Sequence, residues 1–144
     1  MKAEIRRARA ADLPRARAML SEAGLPVADL VEEHLAFVAI EGDEVVGVVG
    51  CEIHGKAGLL RSLVVAAPSR YEGLGRRLVA RVEQSVLEQG VEELWLLTTD
   101  ADAYFAGLGY AVHARRDAPA EIRTTAEFAA LCPDDAVLMR KSLA

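Results

Sequence analysis

Two glycines and an arginine ahead of a long amphipathic segment form the pattern with the clearest chemical meaning in this sequence. The stretch LLRSLVVAAPSRYEGLGRR runs from apolar residues through Arg70-x-x-Gly73-x-Gly75 into residues with helical periodicity. Glycine allows positive φ and close approach of the backbone to a ligand, and the N–H groups at a helix N-terminus bind anions. The pattern predicts a loop that cradles a phosphate or pyrophosphate.

Arg61 and Glu52 form a second group that could do chemistry. Arg61 interrupts an apolar strand, where a charge is costly unless it is paired or faces a wet cleft. Its guanidinium could hold a carboxylate, phosphinate or arsinate through two hydrogen bonds. With a two-residue turn at Lys56-Ala57, Glu52 would lie directly opposite Arg61 on the neighbouring strand. Glu52 is then a base that acts on an amine through a water, a structural ion-pair partner of Arg61, or both.

The elements that position these groups combine hairpins with one crossover. Helices are predicted at 12–23, 26–35, 74–89, 102–107 and 119–131, and strands at 4–8, 36–40, 45–54, 59–66, 94–98, from 110, and at 136–141. The strand–helix–strand order from 59 to 98 predicts a right-handed crossover between parallel strands. The predicted class is therefore mixed α+β, in a single domain over residues 1–144.

Composition and charge restrict the function classes. The chain has 144 residues, 52% of them hydrophobic and 27% charged, which is typical of a globular protein. A net charge of −5 argues against non-specific nucleic-acid binding. We expect no membrane anchor and no signal peptide, and therefore a cytoplasmic location. Cys51 and Cys132 lack metal-site spacing, so we expect buried thiols and no metal.

The common nucleotide-binding motifs do not fit the glycine loop. A dinucleotide fold places its Gly-rich turn after the first strand, whereas three predicted strands precede this loop. A Walker A loop requires Gly-Lys-Ser/Thr, which is absent here. The phosphate that the loop binds must therefore belong to another kind of molecule.

Three segments in order resemble the GCN5-related N-acetyltransferase (GNAT) superfamily. They are LLRSLVV with its glycine loop and helix, the strand LWLLTT, and AYFAGLGY at 103–110. The resemblance implies a mostly antiparallel sheet with flanking helices, in which the fourth and fifth strands are parallel. It also implies a homodimer and acetyl-CoA as the cofactor. The cofactor contacts that it implies are Leu63, Val64, Val65, Arg70, Tyr71, Glu72, Gly73, Leu74, Gly75 and Arg76.

The resemblance also raises a question about the general acid. In many members a Tyr four residues before the last Gly of this signature protonates the leaving sulfur, and that position is Phe105 here. Tyr104 is the neighbouring phenol, although on a helix it points about 100° away. Tyr104 or a water is then the expected proton donor, and Glu52 the expected base. Glu72 is a second departure, because many relatives carry a basic residue at its position.

The tail RRDAPAEIRTTAEFAALCP, followed by AVLMRK, is similar to the arsenic-resistance N-acetyltransferases. That resemblance implies an amino-acid-like acceptor such as arsinothricin or phosphinothricin, with Arg116 and Arg123 joining Arg61 as contacts for its anionic groups. Two alternatives stay open. The acceptor is another amine (a polyamine, an antibiotic or a protein N-terminus), or the chain is a non-catalytic sensor that binds CoA.

Overall fold

The computed structural model describes residues 3–25, 27–66, 73–128 and 136–143. The helices are α1 (Leu13–Glu22), α2 (Leu74–Glu88), α3 (Asp102–Ala106) and α4 (Ala120–Arg123). The strands are β1 (Glu4–Arg7), β2 (Leu35–Glu41), β3 (Glu44–His54), β4 (Ala57–Val65), β5 (Glu93–Thr98), β6 (Ala111–His113) and β7 (Val137–Ser142). Short 3-10 helices span Ala10–Asp12, Glu32–His34 and Arg115–Asp117.

One sheet organises the described part of the chain, with strand order β1-β2-β3-β4-β5-β7-β6. Only β4 and β5 pair in parallel, and the other neighbours are antiparallel. Helix α2 connects these two strands and packs its apolar side, which includes Leu78 and Val82, into the largest core cluster. The predicted mixed fold class with a parallel fourth and fifth strand is confirmed.

Two predicted helices differ from the structure. In the segment from 26 to 35, the described residues contain only the 3-10 turn Glu32–His34, because β2 already begins at Leu35. The helix predicted for 119–131 ends at Arg123, where the hydroxyls of Thr124 and Thr125 donate to backbone carbonyls of the preceding turn. Such side-chain bonds compete with helix continuation. A new helical turn begins at Ala126.

The register of the β3–β4 hairpin also differs from the prediction. His54 pairs with Ala57, so the turn is Gly55-Lys56 and not Lys56-Ala57. Gly55 has a φ of 67°, which suits glycine at such a turn. Glu52 therefore pairs with Leu59, and Arg61 lies one diagonal step further along the same face.

Candidate functional site

A cavity opens where β4 and β5 separate. The two strands pair only from Ala57 to Leu59 on β4 and from Glu93 to Trp95 on β5. Beyond this point lies a cavity of about 480 Å³. Its walls include Leu60–Leu63, Leu96–Asp100, Tyr104, Phe105, Glu127 and Ala136. The separation leaves backbone and side chains of both strands facing a space large enough for part of a ligand.

An irregular backbone at Ser62 shapes the β4 wall of this cavity. Val48 pairs with Val64 and Gly50 with Arg61, so β4 carries an extra residue at this position. Ser62 is the one described non-glycine residue with positive φ, at 60°, and bulges of this kind re-aim side chains beside functional sites. This bulge was not predicted from the sequence, where the polar Ser62 within an apolar strand is its only signal.

The N-terminus of α2 offers backbone donors beside the cavity. Gly73 caps the helix with a φ of 69°, and the first bond of the helix runs from the Arg77 N–H to the Gly73 carbonyl. The amides of Leu74, Gly75 and Arg76 precede that bond, as expected of an anion site. The predicted contacts Arg70, Tyr71 and Glu72 lie outside the described residues.

The predicted cofactor contacts on α2 and β4 differ in what their side chains do. The Leu74 side chain is buried in the core and Arg76 is exposed, so at Leu74 only the backbone could serve a ligand. On β4, Leu63 lines the cavity, and Val64 and Val65 are half-buried. The lack of a side chain at Gly75 allows Tyr104 to approach α2 closely, because a Cβ at Gly75 would lie 2.5 Å from the Tyr104 hydroxyl oxygen.

Tyr104, rather than Phe105, presents a phenol at the cavity. Phe105 is buried and packs edge-to-face against Tyr104 and Tyr110. Tyr104 is 44% exposed, and burial of its ring raises its pKa, while the nearby charge of Arg76 acts in the opposite direction. Tyr104 therefore keeps its proton near neutral pH and can donate it.

The guanidinium of Arg61 is held by protein groups on all sides. Its side chain is 0% exposed. It donates two hydrogen bonds to Asp29, at 2.6 and 2.7 Å, and one of 2.7 Å to Glu52. Its Nε donates to the Ser62 hydroxyl at 3.1 Å. Four of the five N–H donors of a guanidinium are thus occupied within the described residues.

Glu52 is engaged at both carboxylate oxygens. Oε2 accepts from Arg61, and Oε1 lies 3.2 Å from Nε2 of His54. Glu52 is not among the residues that line the cavity. The ion-pair interpretation of Glu52 therefore has direct contacts behind it, whereas its role as a base stays a prediction.

Glu127 is a carboxyl in the cavity wall that was not predicted from the sequence. Its side chain is 7% exposed, and its Oε1 lies 3.8 Å from Nε of Arg61. Burial raises its pKa to about 7; the charge of Arg61 opposes this shift, and the carboxylates of Glu52 and Asp29 add to it. Strongly perturbed carboxyls in a cavity are candidates for proton transfer. The only indication of this carboxyl in the sequence is an acidic residue within the tail segment 115–133.

The predicted substrate contacts on the tail and Cys51 are not among the residues that line the cavity. Arg116 and Arg123 are exposed and do not line the cavity, so their role as substrate contacts stays a prediction. Cys51 is buried, and burial raises its pKa to about 12. Cys132 lies outside the described residues.

One set of possible metal ligands occurs in the described part of the chain. Ligand atoms of Asp29, His34 and Glu52 lie within 4.8 Å of one another. The guanidinium of Arg61 already bridges the two carboxylates. A cation of the protein itself therefore already occupies the position between these two carboxylates.

No helix in the described residues is long and apolar enough to cross a bilayer.

Comparison with protein families gives one match. The sequence model described as "Acetyltransferase (GNAT) family" matches residues 4–110. No curated protein matches the chain significantly.

Solved structures match along the whole chain. N-acetylglutamate synthase from Neisseria gonorrhoeae, complexed with coenzyme A and N-acetyl-glutamate, superimposes with a TM-score of 0.85 at 19% identity, over 100% of this chain and 36% of that one. The present chain thus spans about a third of that protein. Rv2747 from Mycobacterium tuberculosis, in complex with CoA and NLQ, gives 0.81 at 20% identity, over 98% and 99%. The ribosomal-protein-S18-alanine N-acetyltransferase from Escherichia coli gives 0.71 at 17%, over 99% and 94%. At these identities the likeness concerns the fold.

Proposed function

The chain belongs to the Acetyltransferase (GNAT) family, and we propose that it transfers the acetyl group of acetyl-CoA to the amino group of a small molecule. The predicted superfamily is thereby confirmed. The observation that carries the proposal is the junction of the β4–β5 cavity with the N-terminus of α2, marked by the contact between Tyr104 and Gly75. Neighbours of the same fold are complexes with coenzyme A, which supports acetyl-CoA as the cofactor.

The residues on both sides of this junction fit such a cofactor. The α2 amides at Gly73–Arg76, together with the undescribed Arg70–Glu72, would hold the pyrophosphate, and the backbone of Leu63–Val65 would face the pantetheine arm. Gly75 lies against the Tyr104 hydroxyl, so this phenol would stand beside a cofactor held at the N-terminus of α2. When bound, acetyl-CoA supplies the acetyl group as an activated thioester.

The chain's own residues supply orientation and protons. The split between β4 and β5 confines the acceptor beside the β4 backbone, which raises the effective concentration of its amine. Tyr104 keeps its proton near neutral pH and donates it to the departing sulfur. Phe105 packs behind Tyr104 and keeps that ring oriented.

For the acceptor, we propose an amino acid that carries phosphorus or arsenic, of the phosphinothricin and arsinothricin type. The resemblance of the tail to arsenic-resistance acetyltransferases is the basis, and the tail also contributes Glu127 and Ala136 to the cavity wall. Arg61, Arg116 and Arg123 are the proposed contacts for the acceptor's anionic groups. Among the described residues, the contacts of Arg61 leave one N–H of that side chain for such a contact.

A second candidate is an amine without an anionic end, such as a polyamine. The extensive pairing of Arg61 and the buried carboxyl of Glu127 favour this candidate. The described part of the cavity wall then offers a carboxyl partner to a cationic amine and few free donors to an acceptor's carboxylate. The non-catalytic sensor is the third reading, in which CoA binds and no amine reacts.

Thiol release from acetyl-CoA with phosphinothricin, arsinothricin, spermidine and glutamate as acceptors separates these proposals. Release with phosphinothricin and arsinothricin alone supports the first acceptor class, and Arg116→Ala or Arg123→Ala should then raise KM for those acceptors. Release with spermidine alone supports the second. Thermal stabilisation by CoA, without thiol release in the presence of any amine, would support the non-catalytic sensor. Light scattering of the purified protein tests the homodimer that the family resemblance implies.

A further inference from the structure

The carboxyl of Glu127 has only one long ion pair, to Arg61, within the described residues. It lies in the cavity wall, is nearly fully buried, and has no hydrogen-bond partner among the described residues. Its closest cation, Nε of Arg61, is 3.8 Å away and already donates to Ser62. A buried carboxyl in this situation is costly unless a ligand completes its surroundings.

The local chain holds this carboxyl in place. The hydroxyl of Thr125 accepts a hydrogen bond from the Phe128 N–H at 3.2 Å, which caps the helical turn that carries Glu127. Ile122, just ahead of the break in the helix, is fully buried against Leu59 and Trp95. The interruption of the predicted helix therefore has a consequence: it turns Glu127 toward β4 instead of toward solvent.

We propose that Glu127 accepts the proton that the acceptor's ammonium group must lose before its nitrogen can attack the acetyl group. The inference rests on the proposed function and assigns to Glu127 the role that the sequence analysis gave to Glu52. Both oxygens of Glu52 are held by Arg61 and His54 outside the cavity wall, whereas Glu127 faces the space that the amine must enter.

The charges around Glu127 suit this task near neutral pH. Arg61 favours its ionised form, and the carboxylates of Glu52 and Asp29, which share Arg61, oppose it. His54 contacts Glu52, and Tyr104 and Asp100 belong to the same cavity wall. Because burial is the largest influence, the pKa of Glu127 rises to about 7, and a base is most effective when its pKa lies near the working pH.

The proton balance of the reaction is simple with this base. The ammonium gives one proton to the Glu127 carboxylate, and the freed nitrogen pair forms the C–N bond as the C–S bond breaks. The nitrogen then loses its second proton, the sulfur gains one, and Glu127 returns its proton to solvent. One proton is released per acetyl group transferred, and no other reactant is needed.

The test compares Glu127→Gln with the matched control Glu121→Gln. Glu121 belongs to α4, is exposed, and does not line the cavity. For each variant and the unchanged protein, kcat/KM for phosphinothricin and for spermidine is measured by thiol release from pH 5.5 to 10 at saturating acetyl-CoA.

With Glu127 as the base, kcat/KM of the unchanged protein rises to a plateau above about pH 7. Glu127→Gln should be slower by about a hundredfold at pH 7 and should keep rising with pH until the acceptor's own amine deprotonates. Glu121→Gln should match the unchanged protein. An unaltered rate in Glu127→Gln, or a loss that leaves the inflection near pH 7 in place, would overturn the inference alone. An unchanged protein that acetylates no amine would overturn the proposed function and this inference together.

Discussion

The hydroxyl of Tyr104 lies so close to Gly75, in the first turn of α2, that a Cβ on Gly75 would come within 2.5 Å of the phenol oxygen. The contact joins α3 to the N-terminus of α2 at the edge of the cavity. It places a phenol at the cavity from the position next to the one that the family signature predicts. A substitution at Gly75 can therefore displace the Tyr104 hydroxyl while the tyrosine itself is kept.

Gly75→Ala should lower turnover by at least about tenfold, because the new methyl group displaces the Tyr104 hydroxyl from its position. The helix itself should not suffer, since alanine is the better helix former. The measurement is kcat at saturating substrates, with thermal unfolding as the control for folding. In a Tyr104→Phe background the same change should cost little, because the displaced hydroxyl is already gone. An equal loss in both backgrounds would contradict the link between these residues.

Glu127→Gln should increase the stability of the protein at alkaline pH while it lowers activity. The unfolded chain ionises this carboxyl near its ordinary pKa of 4.5, whereas the folded protein holds the proton until about pH 7. Stability contributed by this site therefore falls as the pH rises through that window and stays low above it, a loss of about 3 kcal/mol. Urea unfolding at pH 4.5 and pH 8 measures it. Glu127→Gln should have a larger free energy of unfolding than the unchanged protein at pH 8 and the same one at pH 4.5. An equal increase in the exposed Glu121→Gln variant would contradict this reasoning.

Arg61→Met should destabilise the protein by about 3 kcal/mol, because it removes a fully buried cation and leaves the half-buried carboxylates of Asp29 and Glu52 unpaired with it. Arg123→Met is the matched control, since Arg123 is exposed at the end of α4 and should change stability by less than about 0.5 kcal/mol. Chemical denaturation of both variants gives the comparison. A stable Arg61→Met protein with an altered KM only for acidic acceptors would instead favour the substrate role of Arg61.

Cys51 should resist thiol reagents in the folded protein, because burial raises its pKa to about 12 and keeps it protonated. The experiment uses Cys132→Ser, so that Cys51 is the one thiol left, and follows its alkylation by iodoacetamide. Reaction should require unfolding with urea. Fast alkylation under native conditions, or protection by arsenite, would show an accessible thiol and reopen a role in arsenic binding.

The architecture could be predicted from the sequence wherever a regular hydrophobic pattern extended over a whole helix or strand. The α2 periodicity, the apolar run of β5 and the glycine loop determined the crossover and the fold class. Arg61 was recognised as unusual because a charge in an apolar strand needs a partner, and it has several.

The errors arose where side chains compete with the backbone or where the register depends on one turn. The two-residue turn at Gly55-Lys56 moved the β3–β4 register relative to the prediction, yet the faces stayed the same, so Glu52 still contacts Arg61. The hydroxyls of Thr124 and Thr125 ended α4 early. Hydrophobic periodicity carries no information about hydrogen bonds from side chains to the backbone. The sequence pattern therefore did not indicate that Glu127 would face the cavity.

Mass spectrometry of the acceptor after incubation with acetyl-CoA is the decisive experiment for acetyl transfer at this cavity. The amino group of at least one small amine should gain an acetyl group, in amounts equal to the thiol released. Thiol release without an acetylated acceptor would mean hydrolysis, and no release with any amine would mean binding alone. Either result would contradict an N-acetyltransferase built on this cavity.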